Sequence, residues 1–428
     1  MICIGGGAVD LRSFIGKPET RSGRSVDFEI ARDLFENPDK TLVFRDVPGY
    51  KFDVVGNVIT CRDDVYRALG TDKHGFIEYV DERSKNPVEP VIVGSGACQE
   101  LECSLADIPF ISHFEKDGGR YITSGIVIAK DPEYGRNVSI HRMLIRDDGK
   151  LGIRIVPRHL RSFMDRAEER GEDLEIAIAI GLDPRVFFAA SYSPQQGYDE
   201  FSFAGAIMGG PLKLVKCKTV DIEVPAHSEF VIEGKILAGV REPEGPFADV
   251  TGTYDRIRNE PVIEVTKVTH RRSAIYQALL PASIEHRLFM GMPREPGIFS
   301  SVSEVAQVSN ACLTVGGKNW LHGAVSLAET PGDIEKVIER AFAGHQSMKH
   351  VIIVNDDIDI FNSEELEYAV STRFQAHKDA YVYRDMRGST LDPSTDEDGL
   401  TTKVGLDATI PLGREPEYEF AQIPKRKV

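Results

Sequence analysis

The sequence has no stretch of about 18 consecutive apolar residues, the length a helix needs to cross a bilayer, so no membrane partner is expected. Its opening residues, MICIGGGAVDLR, have neither the basic n-region nor the apolar stretch of a secretion signal. Positive charge is in deficit: 51 Lys and Arg stand against 67 Asp and Glu, a formal net charge of −16. A duplex-binding protein needs a basic footprint, so no nucleic-acid partner is expected either. The basic cluster Lys425-Arg426-Lys427 reads as a solvated tail rather than a targeting signal. Cysteine is sparse and unpaired in pattern. Cys3, Cys61, Cys98, Cys103, Cys217 and Cys312 form no Cys-x-x-Cys, which argues against a zinc site and a dense disulfide framework. A reducing cytoplasm is the expected compartment. Internal repeats and low-complexity segments are also missing.

What remains is an ordinary globular composition, 41% apolar and 28% charged, over a length that implies two or three domains. Residues 1–105 mix short helical and extended pieces into an N-terminal α/β region. It ends in EPVIVGSGACQE, an apolar strand followed by a glycine turn. Gly94-x-Gly96 lacks the third glycine of a dinucleotide fingerprint. Residues 106–305 are rich in strands, at 122–129, 175–181 and 262–269, with one short helix over 161–169 stopped by Gly171. Many strands with few helices imply a sheet curled into a barrel or sandwich. Residues 306–428 alternate strands (324–328, 351–354, 380–383) with helices (333–342 and 363–373, the latter capped at Ser363), a layered α/β domain.

Three segments could carry chemistry. In Asn137-Val-Ser-Ile-His-Arg142, read as a strand, Asn137, Ser139 and His141 share one face and Arg142 takes the other. In Pro157-Arg158-His159, the neighbouring guanidinium favours a neutral imidazole, the metal-binding form. In Glu244-Gly-Pro-Phe-Ala-Asp249, Gly and Pro exclude a helix, and a loop can direct both acids into one cleft. Paired acids titrate together, and an arginine between them favours ionisation of its nearer partner, which separates an acid from a base. Each segment taken singly also fits a bland reading: an edge strand, a hydrogen-bonded histidine, a solvated acidic loop.

Taken together, the segments resemble the UbiD family of decarboxylases in order and spacing. The matching positions are Asn137 to Arg142, Pro157 to His159, Glu200 in DEFSFAGA, Glu244 to Phe247, and Glu285-His286 leading to Glu295. Tyr121-Ile-Thr123 and Asp131-Pro132 look familial too. The resemblance implies a mixed α+β and α/β multidomain chain, with a central split β-barrel flavin-binding domain and a C-terminal α/β oligomerisation domain. It implies prenylated FMN, made by a flavin prenyltransferase. Loss of carboxylate from an sp² carbon leaves a carbanion that no side chain stabilises, so the cofactor must be the electron sink. Asn137, His159 and Glu200 match the ligands of Mn2+ (or Mg2+) at the cofactor phosphate, with K+ nearby. Thr123, Ser139, Ile140, Arg158, Ser191 and Tyr192 match flavin-lining positions, and Lys349 a phosphate-binding lysine. Arg142, Glu244 and Asp249 match the catalytic triad, although the third member is commonly Glu and Asp249 is shorter. The N-terminal region matches poorly before residue 40.

The implied substrate is a small aromatic, heteroaromatic or α,β-unsaturated carboxylic acid. Arg158, His286 and Arg294 are read as extra cations suited to a second carboxylate or a phosphate. The spacing of His286 and Arg294 is similar to the furan-2,5-dicarboxylate decarboxylase branch, so conversion of that acid to 2-furoate is the expectation. The alternatives are a phosphorylated isoprenoid acid, a pyrrole or indole carboxylate, a hydroxybenzoate, or a flavin-binding protein that does not decarboxylate. A homodimer or homohexamer is implied.

Overall fold

A computed structural model describes residues 10–419 and 421; Cys3, most of the opening segment and the Lys425–Lys427 cluster lie outside the described residues. The chain divides into two compact units, Met1–Pro293 and Arg294–Val428. The division falls ahead of the expected boundary at 305, and the expected separate region 1–105 belongs to the first unit.

In the first unit, runs of Ile, Val and Ala build a nine-stranded sheet. Its order is Tyr121–Ile122, Met143–Ile145, Leu151–Ile153, Arg258–His270, Phe230–Glu244, Leu174–Ile180, Ile126–Asp131 and Gly135–Ile140, with Leu101–Glu102 also on Arg258–His270. Every pairing is antiparallel. The two longest strands slip register at Glu233/Gly234 and at Ile236/Arg241. Bulges of this kind bend a strand and increase its twist, which curls the sheet. The curl closes over Val127, Ala129, Ile176, Ile178, Ile180, Ile232, Ile236 and Ile263, all buried in one core. The single strand expected over 122–129 is broken at Thr123-Ser124-Gly125, where a Cβ on Gly125 would stand 2.8 Å from Ile178 Cγ2.

Three helices of this unit beyond residue 105 are absent from the sequence reading, Pro184–Ser191, Glu200–Met208 and Ile284–Gly291. Every residue from Pro184 to Ala190 and from Glu200 to Ile207 is buried. A helix apolar all round has no 3.6-residue stripe to detect. The expected helix over 161–169 begins earlier, as His159–Glu169, and Gly171 follows it at φ 72°. A further sheet joins Glu19–Ser22, Leu42–Arg45 and Asp53–Gly56, and Ile275–Ala278 completes it by pairing parallel to Asp53–Gly56. The N-terminal sheet therefore borrows a strand from far along the chain.

The second unit carries a five-stranded sheet ordered Val308–Leu313, His322–Leu327, His350–Asn355, Leu400–Asp407 and Ala380–Arg387, with its middle pairs parallel. Its helices include Ile334–Gly344 and Ser363–Arg373. The second is capped by Asn362, not Ser363: the Asn362 side chain accepts from the Glu364 amide at 3.0 Å. Among the described residues no helix is long and apolar enough to cross a membrane.

Two stability predictions follow from this packing. A Cβ at Gly234 would lie 2.4 Å from the Glu264 carbonyl oxygen, backbone that cannot step aside. Gly234→Ala should therefore cost about 1–3 kcal/mol in urea unfolding. Glu285, on the helix Ile284–Gly291, is fully buried; burial pushes its carboxyl from 4.5 up to about 8, against amides of Ile59 and Val58 and the Gln277 side chain. A raised folded pKa means the neutral acid stabilises the fold below the ordinary value, and that contribution is lost as pH rises through about 8. Glu285→Gln should gain on wild type from pH 5 to about 8 in urea midpoints and level off above; parallel pH curves for the two proteins would refute this.

Candidate active site

The strand expected through Arg142 ends at Ile140, and His141 and Arg142 form the two-residue step to the next strand, Met143–Ile145. The Arg142 side chain is 7% exposed and faces a hairpin that begins where Phe230–Glu244 ends. Glu244, fully buried, accepts from Arg142 Nε at 3.0 Å and from NH2 at 2.9 Å, a two-pronged fork. Gly245, at φ 98°, turns the chain, and Phe247–Ala248 pairs back on Tyr254–Asp255. What the sequence presents as a loop is thus partly strand. Asp249 sits at the turn, where one carboxylate oxygen accepts from the Val250 amide at 2.7 Å and the other from Arg142 NH1 at 3.1 Å. Asp255 closes the ring, at 3.3 Å from Arg142 NH2 and 2.5 Å from Arg258 NH1. The Phe247 ring lies 4.7 Å from the Arg142 guanidinium and 4.6 Å from the ring of Tyr121.

Burial opposes the Arg142 charge, but Glu244, Asp249 and Asp255 outweigh it and hold the guanidinium above its ordinary value. Asp255 is likewise desolvated, yet Arg258 and Arg142 keep its carboxyl below the usual range. Asp117, from a neighbouring loop, differs: burial pushes its carboxyl up to about 6 against the amides of Ala248 and Phe114.

Asn137, Ser139 and His141 form a directional relay. A carbonyl only accepts, so His141 Nδ1 donates to Arg154 O at 2.9 Å. Burial holds this imidazole neutral, down to about 4, so Nε2 accepts from the Ser139 hydroxyl at 2.9 Å. Ser139 Oγ in turn accepts from Asn137 Nδ2 at 3.0 Å. The relay spends the amide nitrogen of Asn137 within the strand and leaves Oδ1 as the end that can meet a cation. Glu200 comes beside it, with Oε2 accepting from the Val138 amide at 2.8 Å. Burial pushes the Glu200 carboxyl up to about 8. His159 opens the helix His159–Glu169, half-buried, its ring held below the ordinary value by burial and then by Arg158. The helices starting at His159 and Glu200 both pack on Gly135–Ile140. An amide oxygen, an imidazole and a carboxyl short of counter-charge fit a hard divalent ion. Among the described residues no cluster of three or more His, Cys, Asp or Glu side chains is placed to hold a metal; this set has two such groups and an amide.

The remaining expected residues fall as follows. Thr123 is buried and donates to Leu279 O at 2.7 Å. Ile140 ends its strand opposite Ile126. Ser191 ends the helix Pro184–Ser191, which also packs on Gly135–Ile140; the Tyr192 ring lies 4.7 Å from that of Phe203. Arg158 donates to Ser193 Oγ at 3.1 Å. Lys349 and Arg294 belong to the second unit, and Lys349 Nζ is 2.9 Å from Asp392. The expected positive charge on His286 is corrected: its Nδ1 accepts from the Ala282 amide at 3.0 Å, so that nitrogen carries no proton and the ring is neutral. Burial also holds it below its ordinary value, against the pull of Asp249. Asp117, His141, Asp255 and Arg258 are additions to the expected set. His141 lies within the segment already read as Asn137 to Arg142, and Asp255 follows Asp249 closely enough to have been considered with it; Asp117 and Arg258 have no local signal.

Comparison with known proteins gives this geometry a relative. The pattern of the UbiD family, the 3-octaprenyl-4-hydroxybenzoate carboxy-lyase Rift-related domain, matches residues 90–284, and that of the corresponding C-terminal domain matches 287–408. An anhydromevalonate phosphate decarboxylase of Methanothermobacter thermautotrophicus is 43% identical over 399 residues, 92% of this chain and 94% of that one. The UbiD-class enzyme HmfF of Pelotomaculum thermopropionicum, solved with FMN, superposes with a TM-score of 0.93 at 40% identity, covering 97% of each chain. An evolved dimeric form of HmfF, solved with prenylated FMN, gives 0.89 at 38% identity, again with 97% of each covered. The chain belongs to the UbiD family and is a carboxy-lyase, a decarboxylase.

Proposed function

We propose that this enzyme decarboxylates a phosphorylated isoprenoid acid with prenylated FMN as its cofactor. The observation that carries the reading is 43% identity to an anhydromevalonate phosphate decarboxylase across 92% of the chain. It puts the phosphorylated acid ahead of furan-2,5-dicarboxylate, whose case rests on the spacing of His286 and Arg294. A phosphate accepts hydrogen bonds as readily as a second carboxylate does, so His286, as a neutral Nε2–H donor, and Arg158 suit either. A flavin prenyltransferase would supply the cofactor, and the cytoplasm and a homo-oligomer remain part of the reading.

The prenylated flavin, when bound, accepts the electron pair released as the carboxylate leaves. Asn137 Oδ1, His159 and Glu200 would hold a divalent cation at its phosphate; Thr123, Ser139, Ile140, Ser191 and Tyr192 would line its ring system. Arg142 orients Glu244 and Asp249 toward the reacting carbon. Around it, two guanidinium groups serve three carboxyl groups. An incoming carboxylate meets a cation already engaged, so leaving as neutral carbon dioxide relieves charge crowding. Asp249, whose side chain is 16% exposed, takes up a proton from water and delivers it to carbon, returning to the carboxylate.

Three measurements test the reading. Loaded enzyme should release carbon dioxide from a phosphorylated isoprenoid acid and not from furan-2,5-dicarboxylate; the reverse preference would overturn the substrate. Glu244→Gln and Asp249→Asn should each lower kcat by about 10²–10⁴ with flavin content unchanged. Near-normal turnover in either would remove that residue from the chemistry. Glu200→Gln should weaken Mn2+ binding by at least about tenfold when followed by paramagnetic resonance in the FMN complex, and equal affinity would strike Glu200 from the ligand set.

A further inference from the structure

We propose that Asp117 is a positioning residue for proton delivery, strapping the loop 111–121 to the hairpin that carries Asp249. The proposal rests on the reading of Asp249 as the proton donor. The loop is closed on itself by a bridge between Ile111 and Tyr121. One flank is tied to the N-terminal region: the Ser112 amide donates to Val26 O at 3.0 Å, and Arg120 donates to the Tyr50 hydroxyl at 2.6 Å and to Asp27 at 2.8 Å. The other flank is laced to the hairpin. The Gly118 amide donates to Pro246 O at 2.8 Å, the Ala248 amide donates to Asp117 Oδ1 at 3.0 Å, and the Lys116 amide donates to the Tyr254 hydroxyl at 3.2 Å. The second oxygen of Asp117 accepts from the Phe114 amide at 3.1 Å and so fixes the carboxyl within its own loop.

The contact is also steric. A Cβ at Gly118 would fall 2.4 Å from the Gly245 carbonyl oxygen, so only glycine lets the two backbones meet here. The strap lands on Ala248, the residue immediately before Asp249. Within the turn itself Asp249 is held by backbone bonds to Thr253 and Gly252, which set its conformation but do not tie the turn to the rest of the unit. Beyond the turn, Arg142 pulls the Asp249 carboxylate from one side and the Asp117 strap holds the preceding peptide from the other. Asp249 is a short acid, so its reach depends on where that peptide is placed. A misplacement of about 1 Å can cost about a hundredfold in rate.

The test uses enzyme loaded with prenylated FMN and the acid that the wild type turns over. Asp117→Ala should lower kcat by about 10- to 100-fold, with KM within about twofold and the flavin spectrum unchanged. Its solvent deuterium isotope effect on kcat should rise, because proton delivery becomes limiting. Asp117→Asn keeps an oxygen for the Ala248 amide and should recover to within about fivefold of wild type. If Asp117→Ala does not fold, Asp117→Asn together with Gly118→Ala decides, the latter being expected to reproduce the lowered kcat and raised isotope effect. A kcat within about threefold of wild type for Asp117→Ala, a loss confined to KM or flavin content, or an unchanged isotope effect would overturn the strap. An active Asp249→Asn removes the proton donor and this proposal with it; an inert Asp249→Asn beside an unimpaired Asp117→Ala overturns the strap alone.

Discussion

The fork between Arg142 and Glu244 constrains everything around it. Both side chains are withdrawn from water, and two desolvated charges are tolerated only because the guanidinium meets the carboxylate in two parallel hydrogen bonds. Removing one partner of a buried pair of this kind typically costs about 3–5 kcal/mol, since the other is left uncompensated. The hairpin 244–255 must therefore start where Glu244 can reach Arg142, which ties the far end of the long strand Phe230–Glu244 to the segment after Gly135–Ile140. Asp249, Asp255 and Phe247 gather round the same guanidinium as consequences of that placement.

The 137–142 segment divides the work. Arg142, after the strand ends, holds the charged fork, while Asn137, Ser139 and His141 form a neutral, directional relay. The direction of the relay needs neutrality: a protonated His141 could not accept from Ser139, and the hydroxyl would have to turn from donor to acceptor at that end. Burial supplies that neutrality by pushing the imidazole down to about 4. The same desolvation acts oppositely on Glu200, whose carboxyl is pushed up to about 8. One physical cause thus holds both groups toward their neutral forms, the imidazole by lowering its pKa and the carboxyl by raising its pKa.

Much of the fold was legible where periodicity is simple. Residues 175–181 and 262–269 alternate, and both are strands; 333–342 carries a helical stripe and 363–373 opens with acids in its first turn, and both are helices. Legibility failed where burial is complete. Pro184–Ser191 and Glu200–Met208 are enclosed on all sides, so their sequences carry no stripe, although one begins with Glu200 itself. It failed again where a partner comes from far away: nothing in residues 1–105 announces that Ile275–Ala278 completes their sheet.

The site follows the same division. Arg142, Glu244 and Asp249 could be named because they sit in segments whose order and spacing are distinctive, and the structure brings them within hydrogen-bond distance of one another through Arg142. His286 was named for charge, and the amide of Ala282 takes that charge away, an effect of a backbone donor four residues upstream that no composition or motif encodes. Asp117 was not named at all. It lies in Lys116-Asp-Gly-Gly119, which reads as a plain turn, and its meaning comes only from the hairpin opposite, where the Ala248 amide is donated to it and Gly118 lets the backbones close. Residues that perform a step are selected for type and leave a pattern in sequence. Residues that place those residues are selected for position, and position exists only after the chain has folded.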